Sequence, residues 1–220
     1  MNSLIKERLL QIQEDIAPCQ PNIIAVTKYF EAQKTVDAYN AGLRDFAESR
    51  VNEAIDKINS LPEDVRKNSR FHFIGHLQTN KVAKVVKVFD CIHSVDTLNL
   101  AEKIAKSAEE QNKIQKIFIE VNFAQEENKF GYSEDVLYKE FPLLLNLSGL
   151  EILGLMSMAP LGASEDFLYS LYSKVASVQK DLNEKYSIRM RETSMGMSQD
   201  YIIAAKCGAT QLRIGRKLFT

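Results

Sequence analysis

The sequence predicts a single-domain (β/α)8 barrel with an extra N-terminal helix, and three observations lead there. Short runs rich in Val, Ile and Phe alternate eight times with longer amphipathic stretches, a pattern that implies a parallel sheet covered by helices. The runs are too continuously apolar for a sheet with one wet face. The 220 residues fall a little short of the roughly 250 of a typical barrel, which leaves short loops and no second domain, so residues 1–220 are read as one unit.

The first segment, Ser3–Ile16, places Leu4, Ile5, Leu9, Ile12 and Ile16 at helical spacing ahead of the first strand. Strands are expected at Ile23–Val26, Asp45–Ala47, Phe71–Ile74, Cys91–Ser94, Lys116–Asn122, Leu150–Met156, Ile188–Glu192 and Gln211–Ile214. Helices are expected between them at Thr35–Ala41, Val51–Ile58, Lys81–Val88, Leu98–Glu110, Asp135–Leu145, Asp166–Tyr186 and Tyr201–Cys207. Arg216–Thr220 is too short for an eighth outer helix, so the N-terminal helix is expected to fill the gap between the last strand and the first.

Composition narrows the function classes. A formal net charge of −1 provides no overall field toward nucleic acid or an anionic membrane. No apolar run reaches membrane-spanning length. Lys6, Glu7 and Arg8 interrupt the N-terminal apolar pattern as a secretory leader would not, so a cytoplasmic protein is expected. Cys19, Cys91 and Cys207 are widely spaced, with no CxxC pair, and read as isolated reduced thiols. His72 and His76 stand at i, i+4 but flank Ile74–Gly75 at a strand end without an accompanying carboxylate, so no metal site is expected. A monomer is expected because no long apolar helix face is left unassigned.

Barrel active sites sit at the C-terminal ends of the strands. Those ends here carry Thr27–Lys28–Tyr29, Glu48–Ser49–Arg50, Gly75–His76, His93–Ser94, Asn122, Met156–Ser157, Thr193–Ser194–Met195–Gly196–Met197–Ser198 and Arg213–Ile214–Gly215–Arg216. A lysine, arginines, hydroxyls and glycines gathered on one face suit a phosphorylated ligand. Ser194–Ser198 precedes a helix whose free N–H groups favour an anion, and Gly215 permits close backbone approach. Lys28 leaves the buried run Ile23–Val26 into the barrel mouth, where loss of water around an amine frees its lone pair for attack on a carbonyl. Each of these residues also has an ordinary structural role open to it: a strand-capping lysine, an Arg213 ion pair, turn hydroxyls, a hydrogen-bonded His76 and packing methionines.

The runs Ala25–Val26–Thr27–Lys28, Phe71–His72–Phe73–Ile74–Gly75–His76–Leu77–Gln78–Thr79–Asn80–Lys81, Ser194–Met195–Gly196–Met197–Ser198 and Arg213–Ile214–Gly215 together resemble the pyridoxal 5′-phosphate (PLP) homeostasis proteins, the YggS/PROSC family. The resemblance covers nearly the whole chain, and it implies a barrel similar to the N-terminal domain of alanine racemase, the fold-type III of PLP enzymes. It also implies that Lys28 holds PLP covalently through a Schiff base, that Ser194 and the backbone at Gly215 and Arg216 hold its phosphate, and that Arg213 faces the pyridine nitrogen. Ser49, His76 and Met195 are further candidates for cofactor contact. The family usually shows Gly-Glu-Asn-Arg after the second strand, where this chain has Ala47–Glu48–Ser49–Arg50; Ser49 retains one donor where the asparagine is lost. The family's final glycine after Phe219 is replaced by Thr220.

The resemblance implies a non-catalytic protein that buffers or delivers PLP, with apo PLP-dependent enzymes as recipients, because racemases and lyases of this fold type complete their sites with an added domain. The alternatives are an amino-acid racemase or lyase, with Lys28 as base and Tyr29 or His76 as a second base, and a sugar-phosphate barrel enzyme without PLP.

Overall fold

The computed structural model describes residues 2–124, 126 and 129–220, apart from the side chains of Asn2 and Ser3. Eight parallel strands close in chain order into a barrel. They are β1 Asn22–Val26, β2 Asp45–Glu48, β3 Arg70–Phe73, β4 Cys91–Val95, β5 Gln115–Val121, β6 Leu150–Ser157, β7 Glu192–Met197 and β8 Gln211–Ile214. Closure comes from β8 pairing with β1, from Asn22↔Gln211 to Ala25↔Ile214. The helices are α1 Asn2–Asp15, α2 Ala32–Asn40, α3 Val51–Ser60, α4 Glu63–Lys67, α5 Val82–Val88, α6 Leu98–Glu110, α7 Glu134–Leu145, α8 Glu165–Tyr186, α9 Tyr201–Lys206 and α10 Arg216–Phe219.

The N-terminal helix fills the expected gap. α1 packs on α2 and on the single turn α10. Arg8 donates to the Leu218 carbonyl at 3.2 Å and to the Thr220 carbonyl at 3.0 Å, tying the last residues to the first helix. Ser164, Ser133 and Thr97 cap α8, α7 and α6 with side-chain oxygens, as hydroxyls at these positions are expected to do. α4, between α3 and β3, has no counterpart in the sequence reading. It is one short turn that buries only Val65, too little apolar surface to leave a periodic signal.

β7 corrects the sequence reading. The strand was expected at Ile188–Glu192, but it begins at Glu192 and runs through the Ser-Met-Gly-Met segment. Ser187 closes α8 in the left-handed conformation, and Asn183 then holds Met190 by bonds of 2.7 and 2.9 Å, so residues 188–190 act as a helix exit rather than a strand. Aliphatic residues mark the exit, while the true strand carries a hydroxyl on its inward face.

That inward face explains the pattern. The apolar core lies outside the barrel, between strands and helices, where Phe46, Phe71, Phe73, Ile92, Ile117, Leu155, Met195 and Leu212 pack. Alternate residues of the same strands face inward. They include Asp45, His72, Cys91, His93, Phe118, Glu120, Met156, Ser194 and Arg213, each under one-tenth exposed. Most barrels fill this space with branched apolar side chains; here much of it is polar. Burial, with Asp96 adding repulsion, pushes the Glu120 carboxyl up to about 7.

Two close approaches fix the wall. A Cβ on Gly154 would sit 1.6 Å from the Glu192 carbonyl oxygen and 2.7 Å from Gln179 Oε1. The register of β5 and β6 shifts beside it, between Ile117 and Phe118. Gln179 of α8 reaches in and accepts the Leu155 N–H at 2.8 Å. Gly154→Ala is expected to lower stability by about 3 kcal/mol, because the obstruction is backbone and cannot rotate away; an unchanged urea midpoint would contradict the packing.

Glu120 generates a pH prediction. Its carboxyl binds a proton more tightly in the folded state than at the ordinary 4.5, so stability falls as pH rises from about 4.5 to about 7. Glu120→Gln is expected to flatten that stretch of the stability profile and to raise stability above it by at most about 3 kcal/mol. Chemical denaturation of both proteins between pH 4.5 and pH 8 checks it.

Candidate functional site

The C-terminal mouth of the barrel holds a cavity of about 580 Å³. Val26, Ile74, Met156, Met158 and Met197 give it apolar walls. Lys28, Lys129, Arg213 and Arg216 also line it, and Asp200 is the one carboxylate among the lining residues described, so the field inside favours an anion.

Lys28 stands where the sequence puts it, immediately beyond β1. Its approach is fixed by Thr27, which is 1% exposed. Thr27 Oγ1 donates to Glu48 Oε1 at 2.7 Å, and Lys57 Nζ donates both to that oxygen at 2.7 Å and to the Thr27 carbonyl at 2.8 Å. A partly buried carboxylate–ammonium pair thus holds the residue next to Lys28 from both sides. The Lys28 amine lies 5.1 Å from the centre of the exposed Tyr29 ring, a cation–π distance.

Gly215 and Arg216 sit at the mouth as expected, but the hydroxyl beside them belongs to Ser198. Ser198 Oγ accepts the Gly215 N–H at 3.3 Å and the Lys217 N–H at 3.2 Å. Ser194 does not line the cavity. It is wholly buried inside the barrel, 2.8 Å from His93 Nδ1 and 2.6 Å from Arg213 Nη1. With β7 running through Ser194, its hydroxyl turns into the barrel, and Ser198 reaches the rim.

Met195 also lies outside the lining of this cavity. It faces outward, fully buried in the shell of apolar contacts between strands and helices. Ser49 and His76 line a neighbouring cavity of about 310 Å³ instead of the Lys28 cavity. His76 Nδ1 lies 3.2 Å from Asp96, and its ring stacks on Phe130 at 3.6 Å between centroids. The Ser49 carbonyl packs against Gly75, where a Cβ would come within 2.2 Å.

Arg213 does reach the Lys28 cavity, from below. It is 3% exposed and donates to the Ser157 carbonyl at 2.9 Å as well as to Ser194. Burial pulls its guanidinium below the ordinary arginine range, while Tyr172, Asp200 and Glu120 oppose that pull. Behind it lies a pair that sequence reasoning missed, His72 and His93, with ring nitrogens 2.9 Å apart. The available signal was a polar residue at alternate positions in otherwise apolar strands, Phe71–His72–Phe73 and Cys91–Ile92–His93. Cys91 lies close by, so that ligand atoms of His72, Cys91 and His93 fall within 4.8 Å of one another. Every ring nitrogen of the two histidines already faces a protein partner. Burial, followed by Glu192, pushes the Cys91 thiol well up, away from the thiolate a metal would need. Among the described residues, no helix is long and apolar enough to cross a membrane.

Comparison with known proteins agrees with this geometry. The family profile described as alanine racemase, N-terminal domain, matches residues 3–220. A protein of Synechocystis sp. named pyridoxal phosphate homeostasis protein is 40% identical over 208 residues, covering 94% of each chain. PipY of Synechococcus elongatus, solved without PLP, superposes with a TM-score of 0.91 at 37% identity over 98% of this chain and all of that one. The same protein with PLP bound gives a TM-score of 0.89 at 36% identity, with the same coverage. An alanine racemase of Clostridium difficile, 14% identical, gives a TM-score of 0.79 over 99% of this chain and 56% of that one, which is a likeness of fold. The matches span nearly the whole barrel, and the chain belongs to the pyridoxal phosphate homeostasis protein family.

Proposed function

We propose that this barrel holds PLP covalently on Lys28 and serves in the homeostasis or delivery of PLP inside the cell, without catalysing amino-acid chemistry. The observation that carries this reading is the meeting of three groups in one cavity: the Lys28 amine, the Ser198–Gly215 rim and the buried Arg213 guanidinium. The relative PipY has been solved with PLP bound.

The cavity fits the cofactor chemically. PLP supplies an aldehyde that condenses with an amine, releasing one water, and a phosphate that needs N–H and O–H donors. Lys28 provides the amine, and the Thr27–Glu48–Lys57 contacts hold its backbone in place. Ser198 and the N–H groups of Gly215 and Arg216, with the Arg216 cation, would hold the phosphate. Arg213 would hold the ring from the barrel side. A cation there disfavours a proton on the ring nitrogen by like-charge repulsion, which weakens the cofactor as an electron sink and suits a holder better than an enzyme. Apo PLP-dependent enzymes are the recipients this reading calls for.

The wild type treated with PLP and freed of excess ligand is expected to show the visible absorption band of a lysine-linked cofactor, and borohydride is expected to fix the label to Lys28. Lys28→Ala is expected to lose both; a band that survives the substitution would overturn the assignment. Ser198→Ala is expected to weaken PLP retention roughly tenfold, the scale of one charge-assisted hydrogen bond, as read by equilibrium dialysis. Exchange of an amino acid's α-hydrogen with solvent deuterium at rates of ordinary turnover would replace the carrier reading with an enzyme.

A further inference from the structure

Four buried side chains connect Arg213, at the cofactor end of the barrel, with the opposite opening. Arg213 Nη1 donates to Ser194 Oγ at 2.6 Å. Ser194 Oγ lies 2.8 Å from His93 Nδ1. His93 Nε2 lies 2.9 Å from His72 Nδ1. His72 Nε2 lies 2.9 Å from Asp45 Oδ1, which also receives Arg70 Nε at 2.6 Å.

The ends of this chain dictate its proton order. Burial raises the Asp45 carboxyl, but hydrogen bonds from Arg70 and His72 outweigh it and hold the group well below the usual carboxylate range, so it only accepts. His72 therefore carries a proton on Nε2, and when neutral it offers Nδ1 as an acceptor. His93 must then carry its proton on Nε2, leaving Nδ1 to accept from the Ser194 hydroxyl. The Ser194 oxygen in turn accepts from Arg213, which can only donate. With both imidazoles neutral, no other order pairs every contact. Protonating His72 would turn two donors, His93 and Arg213, onto one Ser194 oxygen and add a second cation to a dry interior. Burial above all, with Arg213 adding repulsion, pushes the His93 imidazole well below its ordinary range, in keeping with a neutral His93.

Arg213 has reason to depend on this chain. Among the described residues no carboxylate lies within ion-pair distance of it. Glu120, Asp200 and Tyr172 face it at longer range, and Ser157 contributes a carbonyl. Glu120 is raised to about 7 and so is only partly charged near neutrality. Among the described residues, the one formal anion reached from Arg213 by continuous hydrogen bonds is Asp45. That carboxylate lines a separate cavity of about 650 Å³ at the N-terminal opening, beside Arg70, whose side chain is 63% exposed.

We propose that Asp45 is a positioning residue for Arg213, acting through a one-directional hydrogen-bond chain along the barrel interior. The carboxylate at the N-terminal opening orders His72, His93 and Ser194, and through them sets the orientation and field of the guanidinium at the cofactor cavity. The consequence for the cofactor rests on the PLP reading above; the chain itself does not.

Histidine and arginine side-chain ¹⁵N spectra of the cofactor-free protein test the chain. His72 and His93 are both expected as neutral Nε2–H tautomers, and an Nδ1–H tautomer or a cation at either overturns the order. Asp45→Asn keeps an accepting oxygen and removes the charge. It is expected to move the Arg213 Nε–H signal in the wild-type background and to leave it in place when Ser194→Ala has cut the chain. Equal movement in both backgrounds, or none in the first, overturns transmission through the chain. In the PLP-loaded protein, Asp45→Asn is expected to lower the pH midpoint of the visible band by roughly half a unit, because the unopposed guanidinium disfavours protonation nearby. A midpoint that stays or rises overturns the link to the cofactor. If the wild type takes up no PLP, the functional reading falls, and the tautomers and the Arg213 signal alone decide the chain.

Discussion

A guanidinium buried inside a barrel imposes conditions on everything around it. Arg213 is out of water along with its charge, and such a group is tolerated only when its N–H donors are met and its field is answered. The backbone of β6 answers at Ser157, and β7 answers at Ser194. Ser194 needs a partner in turn, and β4 and β3 supply imidazoles until the series reaches Asp45 on β2. Four strands besides β8 (β2, β3, β4 and β7) therefore commit inward positions to polar side chains, β6 lends a backbone carbonyl, and apolar packing is displaced to the outer shell. At its other end the same guanidinium lines the Lys28 cavity, so the demands of a buried charge and the shape of the mouth are solved by one side chain.

How much of this was legible in the sequence depended on which face of a strand carried the signal. β1, β4, β5 and β8 fall within a residue or so of their expected places, because their outward residues (Ile23, Ile92, Ile117, Leu212) are apolar and their lengths are ordinary. β7 was misplaced because Thr193–Ser194–Met195–Gly196 reads as a loop when only apolar content is weighed. Lys28 was legible because it ends a strand whose burial is unmistakable. The His72–His93 contact was not, since it needs the β3–β4 register, His72↔Cys91, which no local pattern states. Likewise, the spacing of His72 and His76 suggested proximity, and the backbone bend at Gly75 sent them to different cavities.

The seam between β8 and β1 has a bearing on how the molecule comes into being. Lys28 and Gly215 stand close to opposite ends of the chain and line the same cavity only across that pairing, while Arg8 clasps the carbonyls of Leu218 and Thr220. During synthesis from the N-terminus the lysine emerges well before the rim opposite it. Contacts of such long sequence separation form late in folding. A nascent barrel therefore presents its lysine to the solvent without the pocket that gives it a purpose, and ligand capture becomes a report that the last strand has docked.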